Sequence, residues 1–326
     1  MTTVKPVKIC STLNMSEADW LEKRKVGIGG SDAAAVVGMS PWTSPVRIYL
    51  DKIDALPEEP ADPEREERFY FGHVMEDLVA REFAKRNPGL KVARSNFMYQ
   101  HPEYPFMIAN VDRVIVGRNC GLECKNISDY SAEGWKDDAV PDYYRLQCMH
   151  YMAVMGWEKM FIAAIVGGHS FIQREIPRDD GIIEALINAE RDFWVNHVQA
   201  RVAPDPVTTA DAAALFPKDN GSLVDPSSLD IDTALELSGV QSQIKELKDK
   251  EEELKAVLQS RLGPASGFRG LCTWKVRAGS VSYQKMAMDE LGEDRVNALK
   301  ENYRGEESRT FRISLSKEFK ELRRVI

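Results

Sequence analysis

The sequence predicts an α/β (α+β) core over residues 1–206, followed by an appendage over 207–326. Three observations carry this. The chain has 326 residues, of which 43% are apolar, enough to bury one large core. Helix-period and strand-period segments then follow one another up to Ala203-Pro-Asp-Pro206. Beyond Leu237 the pattern changes to apolar residues at 3–4 spacing among dense Lys and Glu.

Taken in order, Ser16–Lys25 reads as a short helix, with Asp19 three residues after Ser16 in the capping-box position. The glycine turn Val26-Gly-Ile-Gly-Gly30 leads into a second helix from Ser31, its expected N-cap, stopped by Gly38 and Pro41. Phe69–Arg86 has Phe71, Met75, Leu78, Val79 and Phe83 near helical spacing, and Asn87-Pro88-Gly89 ends it. Three β-like runs follow, 91–99, 107–116 and 121–127, expected as an antiparallel meander. Residues 141–155 predict a helix, 159–166 and 169–176 two strands, and 181–201 an amphipathic helix. In the appendage, 233–262 predicts a helical arm, either half of a hairpin or an oligomer contact, with strands near 271–276 and 310–315 around a charged helix at 286–302.

Composition narrows the function. No stretch reaches the roughly 18–20 apolar residues of a membrane span, and the N-terminus lacks signal and transit patterns, so a cytoplasmic protein is expected. The five cysteines form no C-x-x-C pair and are expected as reduced thiols. Net charge is −8, a weak argument against a protein built only to grip nucleic acid. However, Asp51–Arg68 holds eight acids and three bases, so one acidic loop accounts for −5 of that charge and leaves room for a basic groove elsewhere.

The chemistry-bearing residues lie in the core. Asp112 ends one β run and Glu123 lies in the next, so adjacent antiparallel strands would bring them together. Glu123 and Lys125, two apart, share a strand face. Two neighbouring carboxylates repel each other and are best explained by a divalent cation, and a lysine beside them would stabilise a phosphorane oxygen or orient a water. Glu76, in Gly72-x-x-x-Glu76, is a candidate third carboxylate. A Glu-x-Lys pair alone is usually a solvated strand face, and an isolated Asp after a strand is usually a turn former. The informative feature is the order: helix Glu, strand Asp, Glu-x-Lys, then a helix with Gln147-x-x-x-Tyr151. His73, His150 and His169 are too far apart for a zinc site. Cys120-x-x-x-Cys124 lacks the further cysteines of an iron–sulfur cluster, and the aromatic pairs Tyr143-Tyr144 and Phe193-Trp194 read as core.

That ordered set resembles the PD-(D/E)xK nuclease superfamily, and within it the lambda exonuclease and YqaJ-type viral recombinase family. The resemblance spans about residues 20 to 200 and includes Arg24-Lys-Val-Gly-Ile-Gly-Gly-Ser31-Asp32-Ala and Gly38-Met-Ser-Pro-Trp42. It implies a mixed central sheet flanked by helices. It also implies Asp112, Glu123 and the Cys124 main-chain carbonyl as metal ligands, Lys125 as the catalytic lysine, and Glu76 acting through water or a second metal. Gln147 and Tyr151 match the helix motif that orients the lysine or contacts the DNA backbone, and Arg24 and Ser31 match the pocket for a 5′-phosphate. One position departs from the lambda exonuclease pattern: Asn110 stands two residues before Asp112, where that pattern has a serine, although Asn still donates a hydrogen bond.

By this resemblance the expected activity is Mg²⁺-dependent (Mn²⁺ also suits oxygen ligands) 5′→3′ resection of linear duplex DNA, with two ions per site. The expected partners are DNA with 5′-phosphate ends, a single-strand annealing protein and two further copies in a homotrimeric ring, in a phage-type recombination module of a bacterial cell. Arg24, Lys25, Lys136 and Arg145 are candidates for a basic ring lining. A structure- or site-specific endonuclease on the same core and a non-catalytic DNA-binding subunit are the alternatives. The end-phosphate residues disfavour the first and the intact carboxylate–lysine set disfavours the second.

Overall fold

The computed structural model describes residues 5–57, 62–304 and 310–313. Its contacts divide into two units, Met1–Phe216 and Pro217–Ile326.

The first unit opens with a strand absent from the sequence reading, β1 (Val7–Ser11). Ser16 then caps α1 (Glu17–Arg24), its hydroxyl accepting from the Asp19 N–H at 3.1 Å as the Ser-x-x-Asp spacing predicts. The next helix, α2 (Gly30–Val36), starts one position earlier than expected. Gly29 is its cap and donates its N–H to Asp32 Oδ2 at 3.0 Å, so Ser31 lies inside the first turn with its hydroxyl free for another partner. Ser44 caps α3 (Pro45–Lys52), and α4 (Pro63–Arg86) begins before the expected Phe69. The reason is local: Pro63 at the start and Glu64 and Glu66 in the first turn all suit a helix N-terminus.

Two of the three expected β runs are split between sheets. Residues 91–99 become β2 (Val92–Arg94) and β3 (Phe97–Gln100), and residues 107–116 become β4 (Ile108–Ala109) and β5 (Arg113–Ile115). Ser95-Asn96 and Asn110-Val111-Asp112 are the crossing points. β1, β3 and β4 form a small antiparallel sheet. The glycine turn docks on it, with Ile28 N–H donating to Phe106 O at 2.7 Å and Ile108 N–H to Ile28 O at 2.9 Å. The run at 121–127 is one strand, β6 (Cys120–Ile127). After a kinked 3₁₀ stretch at 129–138 come α5 (Asp142–Met155), β7 (Lys159–Val166), β8 (Ser170–Pro177), α6 (Asp180–Asp192) with a π-helical extension at 193–199, and α7 (Thr209–Leu215).

The main sheet runs β2-β5-β6-β7-β8. The β6–β7 pair is parallel, as the α5 crossover between them requires, and the other pairs are antiparallel. It is therefore the mixed central sheet that was expected. Period-two alternation assigns its faces. Along β7, Met160, Ile162, Ala164 and Val166 join the core with α5, while Ala163 and Ile165 join Val79, Ala80 and Phe83 of α4. Burial on both faces explains why 159–166 reads as a continuous apolar run.

This unit closes at Phe216 rather than at Pro206. Asp211, buried, accepts from the N–H groups of Val207 and Thr208 and from the Ser44 hydroxyl, which ties α7 to the start of α3.

In the second unit, α8 (Ser228–Leu262) begins ahead of the expected 233 because Ser227 and Asp230 form a capping box. Val240, Ile244, Leu247 and Leu254 of its apolar row are exposed. The strand expected at 271–276 shrinks to β10 (Cys272–Thr273), paired with β9 (Gly267–Phe268). The charged helix is two helices, α9 (Tyr283–Leu291) and α10 (Glu293–Lys300), broken at Gly292. Of the strand expected near 310–315, residues 310–313 carry no regular structure and the rest lie outside the described residues. Among the described residues no helix is long and apolar enough to cross a membrane.

Candidate active site

Strand β6 points Cys120, Leu122 and Cys124 into the core beneath α4, so by alternation Glu123 and Lys125 face α5. There they meet the helix residues four apart, Gln147 and Tyr151, on one face of α5. Lys125 Nζ donates to Glu123 Oε1 at 2.7 Å and to Gln147 Oε1 at 3.0 Å. Gln147 Nε2 donates to the same Glu123 oxygen at 2.7 Å and to the Tyr151 hydroxyl at 3.2 Å. Tyr151 is 5% exposed and stands behind Gln147. These bonds tie the helix motif to both Lys125 and Glu123.

Asp112 lies just before β5, and the register Arg113↔Leu122 continues to place it beside Glu123. Its Oδ2 accepts from the Cys124 N–H at 2.8 Å. Because a strand residue points its N–H and C=O to the same side, the Cys124 carbonyl faces this region too. Glu76 arrives from α4, against the opposite face of the sheet, and shares a cleft with Asn110 and Asp112. Arg113, buried beneath them, donates to the Asp112 carbonyl at 2.8 Å, pairs with Asp77, and lies 3.9 Å from Glu76 Oε2.

Three acids gather here with Lys125 and Arg113 as near cations, and burial dominates their protonation. Burial, reinforced by Asp112, pushes Glu123 up to about 8. Burial and Asp112 likewise push Glu76 up to about 7. Burial raises Asp112 despite Lys125 and the Cys124 N–H. Lys125 is held above its ordinary value by Glu123 and Asp112, which outweigh its own burial. Lys125 and Arg113 do not offset burial, so each of the three acids stays above its ordinary value. Glu123 Oε2, on a residue only 2% exposed, has no hydrogen-bond partner among the described residues, where Glu190 Oε2 is the other such carboxylate oxygen. An orphaned carboxylate oxygen beside a second carboxylate and a main-chain carbonyl is an oxygen donor set that fits a hard divalent cation. Among the described residues no group of three or more His, Cys, Asp or Glu side chains is placed to hold one ion, so a single ion would be held by two carboxylates with backbone.

The second expected group also assembles. Arg24 Nη2 donates to the Ser31 hydroxyl at 2.7 Å, with the guanidinium 4.8 Å from the Trp20 ring centroid. The same nitrogen pairs with Asp32 Oδ1 at 2.8 Å, and Lys52 Nζ, its side chain 1% exposed, holds Asp32 Oδ2 at 3.0 Å. Arg24 and Lys52 together keep the Asp32 carboxyl below its usual range against burial. Asp32 and Lys52 were missed by the sequence reading, which counted Lys52 only within the acidic stretch. Arg113 was missed as well, although it directly follows Asp112. The four basic lining candidates are each engaged by an acid: Arg24 by Asp32, Lys25 by Glu22 and Asp54, Lys136 by Glu133, and Arg145 by Asp179. His150 is buried, with Nδ1 2.8 Å from Glu190 and Nε2 2.8 Å from Ile108 O, and is a structural group. All five cysteines are free.

Comparison with known proteins completes the assignment. Solved structures to which the chain is similar include two exonucleases. One is an alkaline exonuclease from Laribacter hongkongensis (18% identity, TM-score 0.46), matched over 57% of this chain and 94% of that one. The other is a phage related exonuclease from Haemophilus somnus 129PT (10%, TM-score 0.39), matched over 56% and 99%. The protein YqaJ of Bacillus subtilis (strain 168) is 34% identical over 278 residues, spanning 83% of this chain and 86% of that protein. Residues 19–158, which contain Arg24, the acidic cluster and the Gln147/Tyr151 helix, match the YqaJ-like viral recombinase domain, and the chain belongs to the YqaJ family.

Proposed function

We propose that the chain is a nuclease, and more specifically a metal-dependent 5′→3′ exonuclease that resects linear duplex DNA from a 5′-phosphate and leaves 3′ tails for an annealing protein. The observation that carries the reading is the orphaned Glu123 Oε2 within the cluster of Asp112, Lys125 and Gln147. Asp112, Glu123 and the Cys124 carbonyl would hold Mg²⁺ or Mn²⁺, with Glu76 serving a second ion or acting through water. A cation there supplies Lewis-acid polarisation of a phosphodiester and lowers the pKa of a water.

The chain's own residues do the rest. Lys125 remains an ammonium, so it donates hydrogen bonds to the developing phosphorane charge and aligns a water, and it is not the base. Gln147 fixes the lysine by accepting from it, and Tyr151 fixes Gln147 in turn. Arg24 and Ser31 supply hydrogen-bond donors for a terminal phosphate, the feature that favours an end-directed enzyme over an internal cutter. A ring of three copies would hold DNA topologically, which suits a chain of net charge −8 whose four candidate lining residues are each engaged by an acid.

The test is digestion with Mg²⁺ of linear duplexes bearing 5′-phosphate or 5′-hydroxyl ends and of a covalently closed circle, using wild type, Lys125→Ala and Arg24→Ala. Expected are loss of the phosphorylated linear DNA, an intact circle, an inactive Lys125→Ala, and an Arg24→Ala that no longer prefers phosphorylated ends. Cleavage of the circle would establish an endonuclease instead, and no cleavage of any substrate would overturn the nuclease reading.

A further inference from the structure

Trp42 is 67% exposed, yet it is not a stray surface residue. Its indole lies edge-on to Tyr143 with ring centroids 4.6 Å apart, and 5.9 Å from Tyr144. Tyr143 and Tyr144 pack at 4.5 Å, and Tyr144 is backed by the buried Trp135 at 5.8 Å. On its other side Tyr144 carries Lys125 Nζ 4.9 Å from its centroid. A continuous row of rings therefore runs from the lysine of the candidate active site to a solvent-facing indole. The indole is also pre-set. Pro41 restricts the loop, and Ser40 Oγ accepts the N–H groups of both Trp42 and Thr43 at 3.3 Å. The sequence reading took Tyr143-Tyr144 for core; Tyr143 is instead half-buried at the rim, beneath Trp42.

We propose that Trp42, supported by Tyr143, is a stacking platform for a nucleobase of the DNA strand whose phosphate lies at Lys125. This rests on the nuclease reading above. A rigid aromatic held beside an ammonium matches a nucleotide, which offers a π-face and a phosphate together, and every base has such a face, so the platform tolerates any sequence. It complements Arg24 and Ser31, which address only phosphate.

The test uses a 5′-phosphorylated duplex with 2-aminopurine as its first 5′ base, titrated with the full chain in Ca²⁺, together with Mg²⁺ kinetics on unlabelled duplex. Wild type should quench 2-aminopurine on binding. Trp42→Ala should lose the quench, weaken binding on the order of 10-fold, as loss of one base–aromatic stack does, and raise KM more than it lowers kcat. Trp42→Phe should keep most of both. Because the side chain is exposed, Trp42→Ala should melt like wild type. Unchanged affinity and quench in Trp42→Ala would overturn the platform while leaving the nuclease reading intact. A changed oligomeric state on size exclusion would overturn it in favour of a contact between copies of this chain. A wild type that neither binds nor cuts DNA would overturn both.

Discussion

A close tolerance behind the Gln147–Tyr151 pair is at Gly30, the first residue of α2. A Cβ there would lie 2.4, 2.7 and 2.9 Å from Cε1, Cζ and Cδ1 of Tyr151. Carbon atoms prefer about 3.5–4.0 Å, so in Gly30→Ala the ring or the helix must retreat by about 1 Å. Tyr151 cannot yield freely, because it is buried and its hydroxyl accepts from Gln147 at 3.2 Å. A retreat of that size breaks this bond and loosens the amide that holds Lys125 and Glu123. Overpacking of this kind costs about 1–3 kcal/mol, from which better helix propensity recovers at most about 1 kcal/mol. The net loss is on the order of 1 kcal/mol, up to about 3 kcal/mol where no propensity is recovered, and each kcal/mol lowers Tm by roughly 2–4 °C for a unit of this size. The effect on turnover should be larger, on the order of 10- to 100-fold, because it acts through misplacement of the lysine. Calorimetry and single-turnover cleavage measure the two effects, and a cycle with Tyr151→Leu isolates the contact: Gly30→Ala should cost much less when the ring is gone. Equal cost in both backgrounds, or a Gly30→Ala variant indistinguishable from wild type, would refute the argument.

Two other outcomes follow from the electrostatics. Glu123 titrates near 8 in the folded chain against an ordinary 4.5, so its favourable contribution is complete below about 4.5 and lost as pH rises to 8. Metal-free protein should therefore melt progressively lower from pH 5 to pH 8, Mg²⁺ should raise Tm most at the alkaline end, and Glu123→Gln should flatten both trends; a metal-induced shift independent of pH would contradict the assignment. Asp32→Asn leaves the buried Lys52 ammonium and the Arg24 guanidinium without their shared carboxylate, and should cost about 3 kcal/mol in urea denaturation, where a loss below about 1 kcal/mol would show that Asp51 alone suffices for Lys52.

What was legible in the sequence is what short-range geometry dictates. Glu123 and Lys125 share a face because a strand alternates, and Gln147 and Tyr151 share one because a helix repeats near four. Once two strands are adjacent, Asp112 has little choice but to approach Glu123. The splitting of 91–99 and 107–116 between two sheets was not legible, because it depends on β1 arriving from the far N-terminus to pair with β3, and nothing inside those runs records that. The same limit governs charge. A count of −8, or of acids between 51 and 68, treats each side chain as free, whereas folding set Lys52 against Asp32, twenty positions away, and Arg113 beneath Glu76, thirty-seven away. Pairing also gives the site its character. The surrounding acids and bases largely cancel one another, but Glu123 is left with one oxygen that no described residue reaches. Glu190 Oε2 is unpartnered too, but its carboxylate faces the His150 ring, whereas Glu123 stands in one cluster with Asp112 and Lys125. The missing partner of Glu123 Oε2 bears on the proposed activity because it falls inside the acid–lysine cluster, not because it is missing.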